Sequence, residues 1–91
     1  MVPCVRLIIT GRVQGVGFRQ FVHRHAAALG VFGWVRNRDD GSVEVEAEGK
    51  RRALQSLISE LWKGPLGGRV TDVNEHWSEC RPRYREFEIT P

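Results

Sequence analysis

Two cysteines in 91 residues are too few for a disulfide scaffold, the usual support of a small secreted domain. No apolar run is long enough to cross a membrane, and the opening stretch, MVPCVRLIIT, is too short for a secretory signal. These absences are read as a cytoplasmic protein. Runs of like charge never exceed a few residues, and 14 basic against 11 acidic side chains leave a formal charge of only +3. That balance suits a small anionic substrate and is weak support for a nucleic acid partner. Repeats, low-complexity tracts and linkers are all missing. A chain of this length predicts one domain, residues 1–91, burying about two-thirds or less of its unfolded surface.

What the chain does have is concentrated in residues 11–19, GRVQGVGFR. A strand-like segment, Val5 to Ile9, precedes them. A helical pattern of Phe18, Phe21, Val22, Ala26 and Leu29 follows. The stretch therefore reads as a short strand-to-helix loop, with Gly15 and Gly17 inside it and Arg19 at the helix start. Glycines there admit left-handed angles and let a ligand come close to bare amides. Amides curling into a helix N-terminus form an anion site, and the helix dipole reinforces it. Arg19 adds a planar fork that matches two phosphate oxygens. The competing reading is an ordinary glycine turn with a solvated arginine, and both stay open on this segment alone. The loop lacks the Gly-Lys-Ser/Thr ending of a nucleotide P-loop. Gln20 stands where a dinucleotide fingerprint has its third glycine. No nucleotide cofactor is expected.

A second segment, Gly33 to Val43, reads as strand, Asp40-Gly41 turn and strand, a hairpin signature. Asn37 falls where the first of these strands gives way to the turn. It can serve the turn or a site, and the residue alone does not decide. The remaining pattern predicts strands over Val5–Val13, Phe32–Asn37, Ser42–Glu48, Val70–Trp77 and Tyr84–Ile89. Helices are predicted over Arg19–Leu29, closed by Gly30, and Arg51–Trp62, stopped by Lys63-Gly64-Pro65. In the third strand Val43, Val45 and Ala47 alternate with Glu44, Glu46 and Glu48, predicting one buried face and one wet face. The order β-α-β-β-α-β-β predicts an α+β sandwich of ferredoxin-like type, with both helices on one face of an antiparallel sheet. In that topology strands one and two run parallel, joined by a helical crossover. Their C-terminal ends then share one sheet edge, so the Gln14–Phe18 loop and Asn37 can meet.

Taken together, these segments resemble the acylphosphatase family. The likeness runs through Gly11–Arg19, Leu29-Gly30, Gly33–Asn37, Asp40–Val45, Glu48-Gly49, Gly64-Pro65 and Phe87–Ile89. The resemblance implies the same ferredoxin-like fold and hydrolysis of a carboxyl–phosphate anhydride to a carboxylate and inorganic phosphate. It puts the phosphate-binding arginine on Arg19 and the water-orienting asparagine on Asn37. Gln14, Gly15, Val16, Gly17 and Phe18 would complete the phosphate loop. It implies a small acyl phosphate as the partner. The residues offer no metal ligands and no cofactor motif, the end of the chain at Pro91 favours a free-standing enzyme, and a fold that closes its own core is expected as a monomer. A carboxylate leaves without a proton donor, so charge stabilisation and water alignment suffice.

Rival readings rest on the same architecture, which also serves noncatalytic regulatory modules and RNA-binding domains. The latter stack bases on aromatics of the open sheet face. Here that face of strand three carries Glu44, Glu46 and Glu48, expected to repel a phosphate backbone. His23 and His25, two apart on a helix, face different ways and cannot share a metal. His76 is isolated. Trp34, Trp62 and Trp77 read as core and edge packing, and Arg81, Arg83 and Arg85 as a solvated basic cluster. Cys4 precedes strand one and Cys80 follows strand four. If those strands pair antiparallel the two are neighbours, expected as free thiols, with a disulfide as the alternative.

Overall fold

The computed structural model describes residues 1–91. Its elements are β1 (Val2–Arg12), α1 (Phe18–Leu29), β2 (Phe32–Asn37), β3 (Val43–Glu48), α2 (Arg51–Lys63), β4 (Arg69–Cys80) and β5 (Phe87–Ile89). The strands form one sheet in the order β4-β1-β3-β2-β5. One sheet face is apolar: Val5, Leu7 and Ile9 of β1, Val43, Val45 and Ala47 of β3, and Val35 of β2. Phe18, Phe21, Val22 and Ala26 of α1, with Leu54, Leu57, Ile58 and Leu61 of α2, pack with these residues in a single core. Burying each such Leu, Ile, Val or Phe stabilises the fold by about 1.5–3 kcal/mol.

The sheet is mixed rather than antiparallel. β1–β3, β1–β4 and β2–β3 are antiparallel, but β2 and β5 run parallel. β4 ends at the side of the sheet where β1 and β2 begin, so a strand started there must run the same way as β2. Reaching β2's outer edge means crossing four strand spacings, about 19 Å at ~4.8 Å each. Residues 81–86 span about 20 Å when extended. Hence Tyr84 to Glu86, expected within the last strand, belong to the crossing, and β5 keeps only three residues.

That crossing also corrects the expected wet face of β3. Glu48 is buried because residues 81–86 lie over it, and its carboxylate accepts bonds from the backbone N–H groups of Arg83 and Tyr84. Glu44 is buried beneath Arg6 and Arg36, both of which donate to it. Only Glu46 stays half-exposed, with Arg83 3.8 Å away. Three bare carboxylates are therefore not presented, and the repulsion expected from them does not operate. Trp34 lies on the same face, donating to the Tyr84 hydroxyl at 3.1 Å with Arg36 stacked on its ring. Trp77 packs against the core, whereas Trp62 is 45% exposed and packs little.

Cys4 and Cys80 are free thiols at the end of the β1–β4 ladder, where Cys4 faces Ser78 and Cys80 faces Val2. Burial and the neighbouring Cys4 push the Cys80 thiol up to about 11.

At the far end of this ladder the register shifts between Thr10 and Gly11. Gly11 sits at φ +125°, and a Cβ built there would lie 2.1 Å from the carbonyl oxygen of Arg69. Gly11→Ala should therefore cost about 1–3 kcal/mol of stability, since the obstacle is backbone that cannot swing aside. Urea denaturation checks this, and a loss below about 0.5 kcal/mol would show that the bulge can absorb a methyl group.

Candidate active site

β1 and β2 are both antiparallel to β3, so they run parallel to one another and their C-terminal ends share an edge. The loop leaves β1 there. Its inward residues fix it: Val13 is buried, Val16 packs against the core, and Phe18 is 2% exposed. Gly15 and Gly17 face outward, each at φ 75°, a left-handed conformation that would strain a side chain. Gly17 is also the N-cap of α1, yet it has no side chain to cap the helix, and the first turn holds no acidic residue. The first bond of the helix runs from the Phe21 N–H to the Gly17 carbonyl at 3.1 Å. No backbone N–H from Gln14 to Gln20 donates to any group of the protein. A run of free amides at a positive helix end is an anion receptor.

Arg19 lies at this helix end, half-buried and without a carboxylate within 4 Å. Arg6, Arg36, Arg38 and Arg83, by contrast, are all paired with acidic side chains. A partly desolvated guanidinium with no internal counter-charge is available to an external anion.

Gln14 joins the loop to the hairpin. Its side-chain amide donates to the Arg38 carbonyl at 2.8 Å and to the Ser42 carbonyl at 2.9 Å. The Arg38 N–H also donates to the Ser42 carbonyl, at 2.8 Å, closing the hairpin neck just beyond Asn37. Both side-chain hydrogens of Gln14 are thus engaged, and of its N–H donors only the backbone one is free for a ligand. No spacing or composition signal in the sequence marks this link.

Asn37 ends β2 opposite Val43, half-buried. Its Oδ1 is buried and has no hydrogen-bond partner in the protein. Leaving such a group unsatisfied costs about 1–3 kcal/mol, so the position calls for an external partner. Beyond it, Asp40 accepts from the Ser42 N–H at 2.9 Å and the Ser42 hydroxyl at 2.5 Å. Those two bonds, with Arg38 nearby, hold the Asp40 carboxyl below its usual range. An open cleft lined by Arg36, Asn37, Arg38, Asp39, Asp40 and Pro91 takes in Asn37 but none of the loop.

The histidines stand apart from this site. His25 packs on Phe21 with ring centroids 4.5 Å apart, and His23 meets Phe87 edge-on. No group of three or more His, Cys, Asp or Glu side chains is placed to hold a metal ion.

Comparison with known proteins agrees with this geometry. The acylphosphatase family model matches residues 5–89. An acylphosphatase of Salinibacter ruber is 52% identical over 81 residues, covering 89% of this chain and 85% of that protein. One from Nitrosococcus oceani is 46% identical over 89 residues, 98% and 99% of the two chains. The crystal structure of acylphosphatase from Bacillus subtilis superposes with a TM-score of 0.95 at 43% identity, covering 98% of this chain and 99% of that one. A family match of this extent, with relatives so close over nearly their full length, establishes that the chain belongs to the acylphosphatase family.

Proposed function

We propose that the protein hydrolyses acyl phosphates, with the phosphoryl group seated in the Gln14–Arg19 loop and attacked by a water held at Asn37. The observation that carries this reading is the pairing, on one sheet edge, of a run of amides that bond to no group of the protein with a buried side-chain oxygen of Asn37 that has no partner in the protein. The free N–H groups of Gly15 to Arg19 and the Arg19 guanidinium would hold the three phosphoryl oxygens. They would also stabilise charge as it develops. Asn37 would align the water for in-line attack. Water attacks phosphorus, the bond to the acyl oxygen breaks, and the products are a carboxylate and inorganic phosphate.

The leaving carboxylate needs no proton. Neither segment carries an imidazole, and Asp40 is a weak proton acceptor because its bonds to Ser42 favour the ionised form. The water's proton would therefore pass to a phosphoryl oxygen of the substrate. With no set of metal-ligating side chains at the loop, turnover should proceed in a chelator. Simple phosphate monoesters, whose alkoxide leaves poorly, should react at least about a hundredfold more slowly. The assay compares an aromatic acyl phosphate with a monoester, each with and without EDTA. Loss of activity in EDTA, or equal rates on both substrates, would overturn the proposal.

A further inference from the structure

Glu44 lies on the sheet face away from the helices, and the reaction above does not use it. Its side chain is nevertheless 3% exposed and meets three guanidinium groups. Oε2 accepts from Arg6 Nε at 2.5 Å. Oε1 accepts from Arg36 Nε at 2.8 Å, with Arg36 Nη2 2.7 Å and Arg38 Nη1 3.9 Å away. Burial by itself would raise the Glu44 pKa, but the bonds from Arg6 and Arg36 outweigh it and hold the carboxyl below its usual range.

Arg36 and Arg38 are the residues on either side of Asn37. Successive side chains of a strand point to opposite faces, so holding Arg36 on Glu44 keeps Asn37 turned toward the other face, while Arg38, just past the strand, lies 3.9 Å from the same carboxylate and 3.7 Å from Asp40. The backbone is held from the loop side too, because the Arg38 carbonyl is one of the two acceptors of Gln14. Residues 36–38 are thereby clamped between β3 and the phosphate loop. Only the carboxylate is buried, since Arg6 and Arg36 are about half exposed, and a carboxylate taken out of water to meet half-solvated arginines gains little stability from them. We infer that Glu44 is a positioning residue for Asn37: it gathers the two flanking arginines and so sets the direction of the water-aligning amide. This inference rests on the role proposed above for Asn37.

The test uses the full chain with Glu44→Gln, which keeps the shape and removes the charge. A small misplacement of an aligning group can cost as much as a hundredfold in rate, so kcat should fall about tenfold or more. KM and inhibition by inorganic phosphate should stay within about twofold, because Val13, Val16 and Phe18 anchor the loop independently of Glu44. Arg36→Gln should lower kcat in the same sense, and the double variant should be no slower than the slower single one. Glu46→Gln, on the same strand and face but paired only with Arg83, should leave kcat unchanged. Should Glu44→Gln not fold, Arg36→Gln carries the test. A wild-type kcat in folded Glu44→Gln or Arg36→Gln, beside a slow Asn37→Ala, overturns the inference alone. A wild-type kcat in Asn37→Ala overturns the reading beneath it. A fall in phosphate affinity equal to the fall in kcat would show a general loosening of the site and also overturn the inference.

Discussion

Arg19→Lys should lose at least about a hundredfold in kcat/KM while folding normally. The substitution keeps the charge but replaces a planar fork by a single ammonium point. Losing one such transition-state contact typically costs about 3 kcal/mol or more. Arg19 is half-buried and has no carboxylate within 4 Å, so the substitution breaks no ion pair within the protein. Inorganic phosphate, which would occupy the same cradle as product, should bind more weakly in proportion. The measurements are steady-state kinetics on an acyl phosphate, competitive inhibition by phosphate, and a thermal melt as control. Near-normal kinetics in the folded variant would remove Arg19 from the site and return the loop to an ordinary glycine turn.

Asn37→Ala should separate the two halves of the site. A fall in kcat of about a hundredfold is expected, with phosphate inhibition nearly intact, because the loop would bind the anion and Asn37 would hold only the water. Stability should not fall, and should rise slightly, since Oδ1 is buried without a partner in the protein. That sign distinguishes the roles. An asparagine serving the turn would lose stability on truncation and leave kcat alone. Such a result would make Asn37 a hairpin residue.

The segments that carry these two side chains are legible in the sequence because their signals are local, whereas the roles of Arg19 and Asn37 come from the family resemblance. Gly15 and Gly17 between strand and helix patterns, and Asp40-Gly41 between two strands, mark the segments by chain geometry alone. The alternation of β3 likewise separates Val43, Val45 and Ala47 from Glu44, Glu46 and Glu48. What it does not carry is the covering of the second face. Glu44 is buried by arginines on neighbouring strands, and Glu48 by a crossing segment whose path depends on where β4 ends. The direction of β5 follows from that same endpoint, so the mixed sheet is hidden for the same reason. Gln14 shows the limit most clearly: its position in the loop is readable, but its bonds go to two carbonyls across a gap that only the assembled sheet closes.

Those two bonds span 24 and 28 residues of sequence. Neither α1 with its loop nor the β2–β3 hairpin can form the site by itself, and closing such long loops carries an entropic cost before any contact repays it. With the site as proposed, activity would be a property of the completed sheet. A partially folded chain with both helices in place but the hairpin detached would keep most of its helical signal and hydrolyse nothing. With the site as proposed, the appearance of catalysis during refolding would date the docking of the hairpin against the loop.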